Sequence, residues 1–166
     1  MVFPGWPEKC IERYNEFVGR RDQHGTAAQK QLTVSNNCKL IRLLADNDIE
    51  WQDDGQPKAP KPRIFSDRSL SVVVTGDSFP AVEIAELIAE SNGKFIGAWE
   101  FSPDQFPESE QFRICYDPYP YEEDGELRQP PKNHTQIFCN KGNPKCRAVV
   151  SGGNWGPKPE QKQVDQ

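Results

Sequence analysis

Histidine, methionine and closely paired cysteines are scarce in this 166-residue chain, and the lack of ligand pairs argues against a metal site. There are two histidines and one methionine, and no two of the five cysteines stand in a CxxC pair. A structural zinc site needs closely spaced ligand pairs. Cys139 and Cys146, with His134 upstream, give irregular spacing and no second pair, so no metal or other cofactor is expected. Apolar residues make up only 35% of the chain and mean hydropathy is -0.80. A typical soluble domain has about 45–50%, glycine included, so the core should be modest. No run approaches the roughly 18 apolar residues of a membrane span, and no membrane partner is expected. The net charge of -5 gives nothing to the phosphate field of nucleic acid, and no basic cluster exceeds Arg20-Arg21.

What the chain does have is five separated cysteines, fifteen prolines and twelve glycines. Cys10, Cys38, Cys115, Cys139 and Cys146 each lie on, beside or at the start of a predicted element. That suits disulfides between elements, with four of the five paired; sequence does not choose the pairing. The alternative is five reduced thiols in a cytosolic protein. One native disulfide contributes about 2–4 kcal/mol, against a total stability of about 5–15 kcal/mol. The opening Met1-Val2-Phe3-Pro4-Gly5-Trp6 reads as a mature secreted start carrying an added methionine. Asn133-His134-Thr135 is an N-glycosylation sequon, which places a glycan on Asn133 and agrees with secretion.

Residues 1–155 read as one domain, and 156–166 as a disordered tail with almost nothing to bury. Apolar positions at helical spacing predict a first helix over Pro7 to Arg20. Cys38 to Leu44 fits a strand or two helical turns, and helix is preferred. Gln52 to Pro62, with Asp53-Asp54-Gly55 and three prolines, reads as a loop. Apolar residues at alternate positions, with Val73 adding β-branched weight, predict strands over Ser69 to Thr75, Lys94 to Phe101 and Gln111 to Tyr116. Between the first two lies a helix over Phe79 to Asn92, capped by Asp77 or Ser78, burying Ala81, Ile84, Ala85 and Ile88. Asp117 to Asn133 reads as an acidic, aromatic loop. Thr135 to Cys139 and Cys146 to Val150 read as short strands. The order implies an α+β fold: a mainly antiparallel sheet of about four strands, helices packed on one face, disulfide-stapled. A parallel pair formed by a crossover within Ser69 to Phe101 is the alternative.

Candidate chemistry is sparse. His24 and His134 sit in polar sequence without the context of a general base. The densest carboxylates, Glu122-Glu123-Asp124, read as a solvated loop, and Thr75-Gly76-Asp77-Ser78 as an ordinary strand-to-helix turn. Tyr116-Asp117-Pro118-Tyr119-Pro120-Tyr121 is more telling. Tyrosines stiffened by prolines offer amphipathic contact area at low entropic cost. Tyr116, Tyr119 and Tyr121 are therefore candidate partner contacts, with Phe112 and Arg113 if those two are not buried.

Gln111-Phe112-Arg113-Ile114-Cys115-Tyr116 is similar to a short aromatic-arginine-aliphatic strand motif of the Leptosphaeria avirulence-suppressing effector family. The chain resembles these small secreted fungal proteins in size and in carrying a cysteine on the first helix. Phe112 stands where that family has tryptophan, and Cys115 where it has a basic residue. The resemblance implies a non-enzymatic virulence, or avirulence, effector with no cofactor. It would be secreted into the host apoplast, act as a monomer on host plant protein, and be detected by plant immune receptors. Two other readings stay open: a secreted ribonuclease-like or other hydrolytic enzyme using His24 or His134, and an intracellular adaptor with reduced cysteines.

Overall fold

The computed structural model describes residues 6, 8, 11–16, 19, 37–76, 79–107 and 111–163. Cys10, His24, Asp77 and Ser78 lie outside the described residues. Ten strands are described: β1 (Cys38–Leu44), β2 (Ile49–Trp51), β3 (Pro57–Pro60), β4 (Ser69–Gly76), β5 (Gly97–Phe101), β6 (Phe112–Tyr116), β7 (Tyr121–Glu123), β8 (Glu126–Arg128), β9 (His134–Cys139) and β10 (Asn154–Trp155). Two α-helices join them, α1 (Ile84–Glu90) and α2 (Asn143–Ala148). Residues 11–16 are helical, within the predicted first helix.

The α+β class and the antiparallel character hold. The main sheet, however, has six strands rather than four, in the order β10-β5-β1-β4-β9-β6. Its pairings are all antiparallel. β4 and β5 do run in the same direction, but β1 lies between them and pairs with both. That position explains why β1 is a strand and not the preferred helix. A strand with neighbours on both sides and buried residues on both faces shows no clean alternation, so periodicity cannot separate it from a buried helix.

One face of the sheet carries Leu40, Leu44, Leu70, Val72, Val74, Trp99, Phe101, Phe112, Ile114 and Ile137 into the main core. The cover on this face comes largely from irregular segments. Ile64, Phe65, Phe106 and Val150 are nearly or fully buried, in short 3-10 turns or just beyond them. Phe106 bridges the core by edge-to-face contacts with Phe101 and Phe112. On the opposite face, Trp6 and Tyr14 pack on Cys115 and Phe138, with Ile11 alongside. Helical residues therefore lie on both faces, not on one. α1 is shorter than predicted, starts after Glu83, and buries none of its residues. Its expected buried stripe has Ala81 and Ala85 exposed and Ile84 and Ile88 half-buried.

Three further segments differ from expectation. β3 lies inside the predicted Gln52–Pro62 loop and pairs with β2 in a two-stranded ribbon. Pro57 and Pro60 fit there because an edge ribbon does not need every N–H. The predicted strand from Cys146 to Val150 is α2 followed by a 3-10 turn, Val149–Gly152. Pro144 in its first turn is a helix-start signal, its missing N–H being one of those a helix leaves unused. The chain end, read as a disordered tail, is described to residue 163 and runs along β5. Gly156 N donates to Ala98 O, Ala98 N donates to Pro157 O, and Pro159 is buried. Lys162 then reaches Asp46 at 2.7 Å and lies 4.3 Å from the Trp51 ring centroid. These contacts hold a sequence whose composition alone gives no reason to fold.

Gly76 closes β4 at φ 137°, a conformation L side chains rarely adopt. A Cβ there would lie 2.5 Å from Asn37 O and 2.6 Å from Cys38 Cα. Gly76→Ala should destabilise the fold by about 2 kcal/mol through strain and backbone displacement. Urea denaturation would measure it, as a lower midpoint at constant slope.

Candidate functional site

The aromatic segment divides into buried and presented residues. Phe112 is 3% exposed and packs in the core, which removes it as a contact residue. Arg113 is half-buried, and its Nε is shielded without a hydrogen bond. Tyr116 meets Phe79 edge-to-face at 5.1 Å, and its hydroxyl lies 3.3 Å from Asn133 Oδ1. Burial, with Tyr119 adding, pushes its pKa above the ordinary value. Tyr116 is thus mainly a packing residue. Tyr119 and Tyr121 are half-buried, and Tyr121 opens the β7–β8 hairpin.

Sequence reading took that hairpin for loop. Its signal was Asp124-Gly125, both at positive φ (54° and 78°), the geometry of a two-residue hairpin turn. From Glu122 to Arg128 every residue is exposed. Leu127, at 65%, is the exposed large hydrophobic residue among those described. Glu122 faces Leu127 across the ladder, and Glu123 faces Glu126. Like charges directly opposite destabilise a strand pair, and an isolated two-stranded hairpin is marginal in water. The hairpin therefore contributes little to the core and presents an acidic surface with an apolar side chain in it.

Asn133 does not sit where a glycan can be carried. It is 2% exposed. Its Nδ2, the atom a glycan would modify, donates to Val74 O at 2.9 Å and Pro80 O at 2.7 Å. The sequon is consequently a structural asparagine at positive φ (59°), a conformation asparagine tolerates better than most residues.

The second assembly lies where β1 and β4 part. Their ladder runs from Cys38↔Gly76 to Ile41↔Val73 and stops, although β1 continues to Leu44 and β4 begins at Ser69. Arg42 spans the opening, with Nη1 donating to Ser71 O at 3.1 Å. Its Nε is shielded from solvent and has no hydrogen-bond partner. Burial lowers the guanidinium pKa and the Asp48 charge raises it, the burial being the larger cause. A cavity of about 340 Å³ opens here, with Arg42, Ser71, Val73, Phe95, Pro131 and His134 among its walls.

Beside it runs a polar row. His134 Nε2 lies 3.3 Å from Ser71 Oγ, and Nδ1 lies 3.0 Å from Asp117 O and 3.8 Å from Asp117 Oδ2. A hydroxyl, an imidazole and a carboxylate are thus in line, a grouping sequence reading missed because the three are far apart in the chain. The details do not favour nucleophilic attack. The nearer Nδ1 partner is a backbone carbonyl, and Ser71 Oγ donates to Gln136 Oε1 at 2.8 Å. Ser71 also lies inside a strand rather than on the sharp turn that exposes a nucleophile.

Of the predicted disulfide cysteines, Cys139 and Cys146 are joined, with Cα atoms 6.0 Å apart. Cys38 is buried, which raises its thiol pKa and slows its attack on electrophiles. Cys115 is buried in the smaller cluster. Among the described residues, no group of three or more His, Cys, Asp or Glu side chains could hold a metal ion, and no helix is long and apolar enough to cross a membrane. No protein-family model, curated protein or solved structure matches the chain.

Proposed function

We propose that the protein is a secreted fungal effector that binds a host plant protein and catalyses nothing, with the β7–β8 hairpin as its contact surface. The observation that carries this reading is the hairpin, which exposes Leu127 among four carboxylates and buries little. An apolar anchor ringed by charge suits a partner with an apolar notch and a basic rim. Tyr119 and Tyr121, at the hairpin base, extend the contact. The Cys139–Cys146 disulfide supports folding in an oxidising compartment. The resemblance of Gln111–Tyr116 to the effector strand motif supports the effector reading, with the host apoplast as the site of action and the monomer as the acting form.

The test uses the full chain with a photo-crosslinking side chain at position 124, infiltrated into leaf apoplast. A discrete crosslinked host protein is expected. Combining Leu127→Ala with Glu123→Lys should reduce the crosslink at least tenfold, because both the anchor and the charge match are lost. The melting temperature should stay within about 2 °C, since exposed sites change stability little. A crosslink that persists undiminished in the folded variant would remove the hairpin from the interface.

A further inference from the structure

We propose that the opening between β1 and β4 is a binding site for an amphipathic monocarboxylate, its carboxylate on Arg42 and its apolar body against Val73, Phe95 and Pro131.

Three independent observations converge there. First, the sheet is split. Antiparallel neighbours normally continue their ladder, yet β1 and β4 separate after Ile41↔Val73 and a cavity of about 340 Å³ lies in the gap. That volume is at the lower end of small-ligand sites, about 300–1,000 Å³. Second, a guanidinium is held in the gap with donor capacity to spare. A buried polar group without a partner costs stability, and a buried cation costs more. Nη1 is satisfied by Ser71 O, whereas Nε is shielded and has no acceptor. Because Nε is shielded, an anion in the cavity would meet this incompletely satisfied guanidinium through its Nη groups, as a carboxylate can.

Third, the walls select the ligand's charge and shape. Asp48 lines the same cavity, its Oδ2 accepting from Ala45 N at 3.0 Å. Lys94 stands at the rim over the Phe95 ring. With Arg42 and Lys94 opposed by Asp48, the formal charge of the walls is one positive unit, His134 taken as neutral. A monoanion balances this, whereas a dianion such as a phosphate monoester would leave a net negative charge beside Asp48. Val73, Phe95 and Pro131 leave the rest of the volume apolar, so the ligand carries an aromatic or branched hydrocarbon body. Ser71 and His134 line the same cavity, but their polar atoms are engaged with Gln136, Asp117 and each other, which leaves Arg42 as the carboxylate's partner.

The chemistry fits either a free organic acid or the carboxylate of a peptide ending in an aromatic residue. Titrating the full-length ¹⁵N-labelled protein with 4-phenylbutyrate, 4-phenylbutyramide and inorganic phosphate tests the site. Phenylbutyrate should shift the amides of Leu43, Ser71, Val73 and His134 saturably. The amide should bind at least tenfold more weakly, and phosphate should leave these resonances in place. Arg42→Met, which keeps bulk in the gap, should weaken phenylbutyrate at least tenfold. Ala45→Phe, which fills the cavity and leaves Arg42 intact, should abolish binding and keeps the test decisive if the Arg42 variant does not fold. An acetylated dipeptide ending in phenylalanine, compared with its C-terminal amide, separates the sources. Tighter binding than phenylbutyrate assigns a protein terminus, and weaker binding assigns a free acid. Equal affinity for acid and amide, or unaltered binding in folded Ala45→Phe, would overturn the proposal.

Discussion

Replacing Cys139 and Cys146 together by alanine is expected to lower the melting temperature by on the order of 10 °C. The bridge closes a short loop, with a sequence separation of 7. Restriction of the unfolded chain by such a link is worth about 2–4 kcal/mol, and a kilocalorie shifts a domain of this size by about 2–4 °C. The surroundings argue for the upper half of the range. Both cysteines are fully buried in the main core, so alanine leaves a void as well as a freer chain. Alanine is the right replacement because serine would bury two hydroxyls. α2 would not be set entirely adrift. Arg147 Nε still donates to Phe65 O at 3.0 Å, and Arg68 N to Asn143 Oδ1 at 3.3 Å. Calorimetry of the wild-type chain with and without reductant, beside the double variant, would separate covalent from packing effects. A shift below 2 °C in both would show that the bridge is incidental to stability.

The elements legible in the sequence were those with a row of large apolar residues at alternate positions. β4, β5, β6 and β9 each send a row of alternate residues into the main core, and that row showed in the sequence even where Val73, Cys115 and Phe138 are buried on the other face. β1 was illegible because Arg42 falls in the same row as Leu40 and Leu44 while Ile41 and Leu43 make the other row apolar, so no alternation shows. Its charge was nonetheless informative. Arg42 interrupts Leu40-Ile41 and Leu43-Leu44, and a cation inside an apolar strand signals a polar interior or a site. The hairpin and α2 were legible in principle, through Asp124-Gly125 and Pro144. Composition outweighed the first signal, since an acidic stretch reads as loop, and the short apolar run from Cys146 to Val150 read as a strand in spite of the second. The docked chain end was not legible. Its residues gain order from the β5 edge, from Asp46 and Trp51, and from the carbonyls of Asp54 and Gly55, and local propensity carries no trace of those partners. The row of Ser71, Asp117 and His134 is likewise a product of strand register.

Asn133 is where motif and structure conflict most directly, and its substitution should carry the largest single-site cost. Its side chain ties together three segments: the start of β9, the β4 backbone at Val74, and the turn at Pro80. Asn133→Ala leaves two carbonyls short of a donor, at about 1–3 kcal/mol for each group that stays buried. It also removes a residue suited to φ 59°, for about 1 kcal/mol more. The expected loss is about 3–4 kcal/mol, a large share of a marginal total. Asn133→Gly should recover about 1 kcal/mol of this, because glycine relieves the backbone part but not the hydrogen bonds. Urea titrations of the two variants resolve these contributions, and equal stabilities would mean that the backbone conformation adds nothing. The same geometry bears on secretion. Attachment of a glycan to Nδ2 consumes one of its hydrogens and demands a path to solvent that a 2%-exposed side chain does not have. Folded protein recovered from a eukaryotic secretion host should therefore keep its mass after peptide N-glycosidase treatment. A stoichiometric glycan on Asn133 in well-folded material would mean that the β4–β9 junction closes differently.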